Sequence, residues 1–215
     1  MKYRSSPVTF GCLILIALTA AGCLNLNKSY PEKRLFVLDV GTPQQETPSN
    51  SAIVLKINKF LVSPLFTGRA MVYRVADLQY ESDFYDEWFI APGALVTQQF
   101  HEWLSRTGRF RFVLLGTNHI EPTHRLQGSV AEFYGDYRLA ESPKAIFGIE
   151  LFLFDELNER RAIFRRTYHQ EVPLVDRSPE ALAGGLTQAV RLVLVDLERE
   201  LAEAAGRPAR ASSSR

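Results

Sequence analysis

Cysteine is nearly absent from this chain. Two occur in 215 residues, Cys12 and Cys23, and both lie within the first two dozen. Whatever follows residue 23 has no thiol, which excludes a disulfide framework, a cysteine-built metal site and a cysteine nucleophile there. An excess of charge of one sign is lacking as well, since 25 Lys and Arg stand against 24 Asp and Glu. Such a balance gives no general attraction for nucleic acid or for anionic lipid headgroups. Beyond residue 22 no apolar run approaches the roughly 20 residues that a spanning helix needs. Catalytic signatures are missing too: there is no P-loop, no glycine-rich dinucleotide turn, no His-Glu-x-x-His and no Gly-x-Ser-x-Gly. These absences lead us to expect a protein that is not an enzyme and carries no cofactor.

What is present begins at the N-terminus. Lys2 and Arg4 precede an apolar run, Phe10 to Leu18, which ends in Ala20-Ala21-Gly22-Cys23. A basic start, a short apolar stretch and small residues form the layout of a secretory signal. The 13 residues from Phe10 to Gly22 are too few to span a bilayer at about 1.5 Å rise each. A cysteine directly after Ala-Ala-Gly is more specific and resembles a bacterial lipobox, with Ala20 where that motif usually has Leu. The resemblance implies that Cys23 is palmitoylated or otherwise acylated and becomes the first residue after cleavage. Several acyl chains, each CH₂ worth about 0.8 kcal/mol in a bilayer, make a stable anchor. An ordinary secreted protein and an uncleaved N-terminal anchor are the plainer readings. The division expected is residues 1–22 signal peptide, 23–33 tether, 34–205 one domain and 206–215 disordered tail.

Along that domain the pattern is rich in strands. Expected strands cover residues 34–40, 52–60, 69–75, 78–81, 109–115, 124–138, 144–155 and 162–171. Gly128 and Gly135 read as bulges, residues 144–155 as a strand buried on both faces, and Asp83 to Trp88 as a short aromatic turn. Pro92 opens a helix over about 93–107, with Leu95, Phe100, Trp103 and Leu104 near one face. Ser178-Pro179-Glu180 starts a last helix whose stripe Leu182, Leu186, Val190, Leu194, Leu197, Leu201 recurs every three or four residues. The fold class expected is α/β in the broad sense (α+β): a mixed sheet with two main helices packed on it.

Few residues invite chemistry. His119 and His124 flank Glu121, and His169 stands two residues from Glu171, but no third ligand is spaced to complete a metal site. Asp83, Asp86 and Glu87 form a carboxylate group suited to acid–base work or, more simply, to a solvated turn. Aromatic residues crowd between Tyr73 and Trp103, a composition that serves either a core or a contact surface.

The succession Phe36-Val37-Leu38, Ser63-Pro64-Leu65-Phe66, Gly68-Arg69, Val72-Tyr73-Arg74, Tyr80, Phe84-Tyr85, Trp88, Pro92, Trp103-Leu104, Gly108-Arg109-Phe110 and Leu126-x-Gly128-x-Val130-x-Glu132-Phe133-Tyr134 resembles the ABC-type transport auxiliary lipoprotein family, which includes paraquat-inducible protein C. The resemblance covers about Leu35 to Leu201. It implies a small, non-catalytic α/β lipoprotein on the periplasmic face of the outer membrane. Such a protein works beside a mammalian-cell-entry (MCE) domain protein and an ABC transporter that move lipid between membranes and support membrane integrity. Leu24 in place of Asp after the cysteine is similar to lipoproteins sorted to the outer membrane. Read through that family, Tyr73, Arg74, Tyr85 and Trp88 become candidates for a partner-contact surface. The partners implied are the MCE-domain protein, the membrane through its anchor and further copies of the chain, with no nucleic acid. Two other functions compete: an accessory lipoprotein of outer-membrane assembly or a secretion channel, and a periplasmic hydrolase using the Asp83, Asp86 and Glu87 acids.

Overall fold

The computed structural model describes residues 32–43, 52–116, 119–158 and 160–205. The expected signal, Cys23, most of the tether, residues 44–51 and the tail from residue 206 lie outside the described residues. In chain order the elements are β1 (Arg34–Phe36), β2 (Val54–Ile57), β3 (Leu61–Val62), a short 3₁₀ turn (Pro64–Phe66), β4 (Ala70–Ala76) and β5 (Gln79–Trp88). After these come α1 (Pro92–Arg106), β6 (Phe112–Leu115), β7 (His124–Asp136), β8 (Lys144–Asp155), β9 (Arg161–Pro173) and α2 (Pro179–Ala205).

Strand β7 is the axis of one curled sheet. One edge pairs antiparallel with β8 over its whole length, and β8 pairs in the same way with β9. Three short strands share the other edge, each running parallel to β7. β2 lies beside His124 to Leu126, β3 beside Ser129 and Val130, and β4 beside Gly135 and Asp136. The chain from Val54 to Ala76 thus follows β7 and leaves the ladder twice. At the first departure Phe60 lays its ring over Gly128, where a Cβ would stand 2.8 Å from the ring. Gly128 is therefore a seat for an aromatic ring and not a bulge. Gly135 likewise makes room for Tyr137. The bulge sits at Ala131 instead, where pairing steps from Val130↔Ile149 to Glu132↔Gly148. The sheet extends from β2 to β6 on one side and from β4 through β5 to β1 on the other.

Strand β1 is shorter than expected. Pairing stops at Phe36, while Leu38 and Val40 are still buried at 4% and 2% exposure. The chain there crosses α1, and the Val40 amide donates to the Gln99 side chain at 3.0 Å in place of a strand partner.

Both helices cover one face of the sheet. Helix α1 buries the expected face of Leu95, Phe100, Trp103 and Leu104. Helix α2 is capped by Ser178, whose Oγ accepts from the Ala181 amide at 3.2 Å. Its stripe from Leu182 to Leu201 is almost entirely withdrawn from water. Close approach to the sheet depends on Gly185, where a Cβ would lie 2.8 Å from that of Ala145 and 2.3 Å from Leu174. Trp103 Nε1 donates to Glu198 at 3.2 Å and ties the two helices together.

The other face of the sheet carries ion pairs such as Arg165–Glu150 and Lys144–Glu171. This one-sided cover corrects the expectation for β8. Ile146 is buried, but Phe152 and Phe154 on the same face are only half-buried and stack at 6.2 Å, with the Arg165 guanidinium 5.4 Å from the Phe152 ring. The architecture is a single-domain α+β fold. No helix among the described residues is long and apolar enough to cross a membrane.

Candidate functional site

The expected aromatic turn at Asp83 is part of β5, and it is where that strand breaks step. Pairing with β4 passes from Ser82↔Val72 to Glu87↔Ala70, so the β5 side carries three extra residues. The physical reason is a local competition for backbone amides. The Asp83 carboxylate accepts from the Tyr85 amide at 2.9 Å and the Asp86 amide at 3.0 Å, which pulls the strand into a loop. Bulges re-aim side chains, and this one turns Phe84 outward to 71% exposure. Tyr85 meets it edge-on at 5.0 Å.

The bulge stands on a rigid base. Arg34 of β1 grips the buried Asp86 with two bonds, 2.6 Å and 2.9 Å, and reaches Glu180 at the start of α2 at 2.6 Å. Glu87 is held by Lys33 and Arg69, both of which lower its proton affinity. Lys33 also lies 5.3 Å from the centre of the Phe84 ring. The Tyr73 hydroxyl donates to Asp83 at 2.9 Å, and its ring stacks on Tyr137 at 5.0 Å. Burial and the neighbouring carboxylate push the Tyr73 phenol well above its ordinary value. Burial alone would raise the Asp83 carboxyl, but the two amides, the Tyr73 hydroxyl and Arg34 outweigh it and hold it low. Burial raises Tyr137 to about 12.

Of the four residues expected to form a contact surface, the structure leaves one on the outside. Tyr85 is exposed. Tyr73 is half-buried as a support of the bulge. Arg74, half-buried in β4, donates to the Asp77 carbonyl at 2.7 Å and lies over Tyr80. Trp88 is not at the surface: at 1% exposure it packs against Phe133 in the core. Phe84 is the exposed residue that sequence reasoning passed over as a contact. The signal was Asp83 itself, since an aspartate that accepts from amides two and three residues on marks a local loop.

The histidines do not gather. His169 lies between Glu132 at 2.7 Å and Glu171 at 3.3 Å on the uncovered face. His124 is half-buried beside Thr123, and burial lowers its proton affinity. Among the described residues no three His, Cys, Asp or Glu side chains are grouped to hold a metal ion. An apolar cleft between Leu55, Phe110, Leu153 and Leu201 encloses only about 20 Å³, room for one water.

No family model matches the sequence, and no curated protein matches it either. Solved structures do match. The crystal structure of a Xanthomonas campestris protein that carries the family designation DUF330 aligns with a TM-score of 0.72 at 15% identity, over 80% of this chain and 96% of that one. A second crystal structure, described only as an uncharacterized protein, aligns with a TM-score of 0.62 at 17% identity, over 79% and 99% of the two chains. At these identities the likeness is one of fold: this curled sheet with its two helices is an architecture that both of those proteins share.

Proposed function

We propose that the protein is a lipid-anchored, non-catalytic accessory subunit of an MCE and ABC-type lipid-transport system at the periplasmic face of the outer membrane. The observation that carries the reading is how the acids and aromatics around Asp83 are used. The three carboxylates singled out for acid–base chemistry are committed to holding the bulge: Asp83 by two amides and Tyr73, Asp86 by Arg34, Glu87 by Lys33 and Arg69. What the arrangement offers to solvent is Phe84 and Tyr85 on a braced support, and exposed aromatics on a rigid base suit recognition. The Cys23 motif supplies the anchor in this reading, and the ordered motifs from Phe36 to Tyr134 supply the transport context.

The test is chemical crosslinking in cells followed by capture of the tagged full-length protein, with wild type compared to a Phe84→Ala, Tyr85→Ala variant. Recovery of an MCE-domain protein by the wild type, reduced in the variant, is the expected result. Recovery of only a β-barrel or secretion-channel component would replace this reading with the assembly-accessory one.

A further inference from the structure

Three loops meet at the end of the sheet where β7 finishes. The Asp77–Leu78 turn joins β4 to β5, residues 137–143 join β7 to β8, and residues 174–178 join β9 to α2. They are locked into one body. Arg138 Nη1 donates to Asp77 Oδ1 at 2.9 Å, Arg177 Nη2 to the Tyr137 carbonyl at 2.8 Å, and the Leu174 amide to the Pro143 carbonyl at 2.9 Å. Each loop turns one large aliphatic side chain away from the protein: Leu78 at 98% exposure, Leu139 at 68% and Val175 at 94%. A single exposed aliphatic is ordinary. Three of them, one per loop on loops pinned to each other, leave apolar tips at one end of the domain that nothing among the described residues covers.

The chain enters the domain beside the start of α2, with Arg34 opposite Asp86 of β5. Arg34 is bonded to Glu180 in the first turn of α2, directly after the Val175 loop. Residues 24–33, between Cys23 and that point, reach at most about 35 Å when fully extended. A tether that short keeps the domain against the surface that holds the anchor, but it does not choose which side faces that surface. The charges at the tips do not favour anionic lipid: Asp77, Glu141 and Asp176 stand against Arg138 and Arg177. The chemistry fits the apolar side of a zwitterionic interface.

We propose that Leu78, Leu139 and Val175 seat this end of the domain in the interface of the bilayer that carries the Cys23 anchor. The inference rests on the lipid-anchored reading for which membrane is meant. The seating itself is a property of the loops. It sets the orientation of the domain: the β8–β9 hairpin at the far end of the sheet points away from the membrane, and the Phe84 bulge lies on the flank.

The experiment uses the mature chain on vesicles of phosphatidylcholine and phosphatidylethanolamine. The chain is held by its own acyl groups or, where mass spectrometry finds a bare Cys23 thiol, by coupling to a maleimide-headgroup lipid. The mass measurement thus decides the anchor, and the optical one decides the seating in either case. Tryptophan is introduced singly by Leu78→Trp, Val175→Trp and, in the β8–β9 hairpin, Leu157→Trp; Trp88 and Trp103, each 1% exposed, supply a constant background. Brominated acyl chains should quench the added emission at 78 and 175 and leave that at 157 untouched, and Leu139→Asp should weaken the quenching at both. Equal quenching at all three positions, quenching at 157 alone, or none at any position would overturn the proposal. The last outcome together with a concentration-dependent dimer would reassign the tips to a second copy of the chain.

Discussion

Replacing Trp88 with alanine separates packing from recognition. The indole is 1% exposed, meets Phe133 at 5.2 Å in an edge-on arrangement, and closes β5 through an amide that donates to the Arg69 carbonyl at 2.6 Å. A buried tryptophan removes roughly 200 Å² from water, and at about 25 cal/mol per Å² this is worth near 5 kcal/mol as an upper figure. Aromatic-to-alanine changes in cores cost about 3–5 kcal/mol once the cavity is counted. For a domain of this size, with about 2–4 °C per kcal/mol, Trp88→Ala should lower the melting temperature by something like 6–20 °C. Urea unfolding followed by circular dichroism should show the midpoint falling with little change in slope. Phe84→Ala is the matched control, because that ring is 71% exposed. Its stability should stay within about 0.5 kcal/mol of wild type. A Trp88→Ala protein that melts within a degree of wild type yet loses its partner would refute the argument, and would place the indole on a contact surface.

Three further expectations can be checked directly. Gly185→Val pushes side-chain atoms into Leu174 and Ala145, and should destabilise by about 1–3 kcal/mol in the same urea assay. His169 is held above its ordinary value. Burial would lower it, but the Glu132 and Glu171 carboxylates outweigh burial, so the folded state favours the charged ring. Its contribution is then complete below the unfolded value near 6.5 and is lost as pH rises through the higher folded value. Wild type should therefore lose stability relative to His169→Gln as pH rises above about 6.5, by under about 1 kcal/mol because the side chain is half-exposed. Cys23→Ser should move the protein from the membrane to the soluble fraction and abolish the acyl mass increment; retention on the membrane with no acyl mass in the wild type would remove the anchor.

Local physics made much of this protein legible from the chain alone. The stripe from Leu182 to Leu201, recurring every three or four residues, leaves a helix one apolar face, and Ser178-Pro179 gives it a start, so α2 was determined before any packing was known. Pro92 with Leu95, Phe100, Trp103 and Leu104 determined α1 in the same way. Loose alternation marked β7, a polar turn before residue 162 marked β9 as a hairpin partner, and the scarcity of cysteine left a core held by packing alone. The expected lipidation at Cys23 is also purely local, because it is a matter of adjacent residues. Other features depended on partners distant in sequence. Gly128 reads as a bulge until Phe60 arrives from about 70 residues away to lie over it. Trp88 and Tyr85 look equivalent in an aromatic run, yet the loop imposed by Asp83 sends one to the core and the other to solvent. Leu78, Leu139 and Val175 are three isolated aliphatics in the sequence. They share one end of the molecule only because β7 gathers β4, β8 and, through β8, β9, and ends all of them together. Periodicity reports which residues share one element's face, and only tertiary pairing decides which elements share an end.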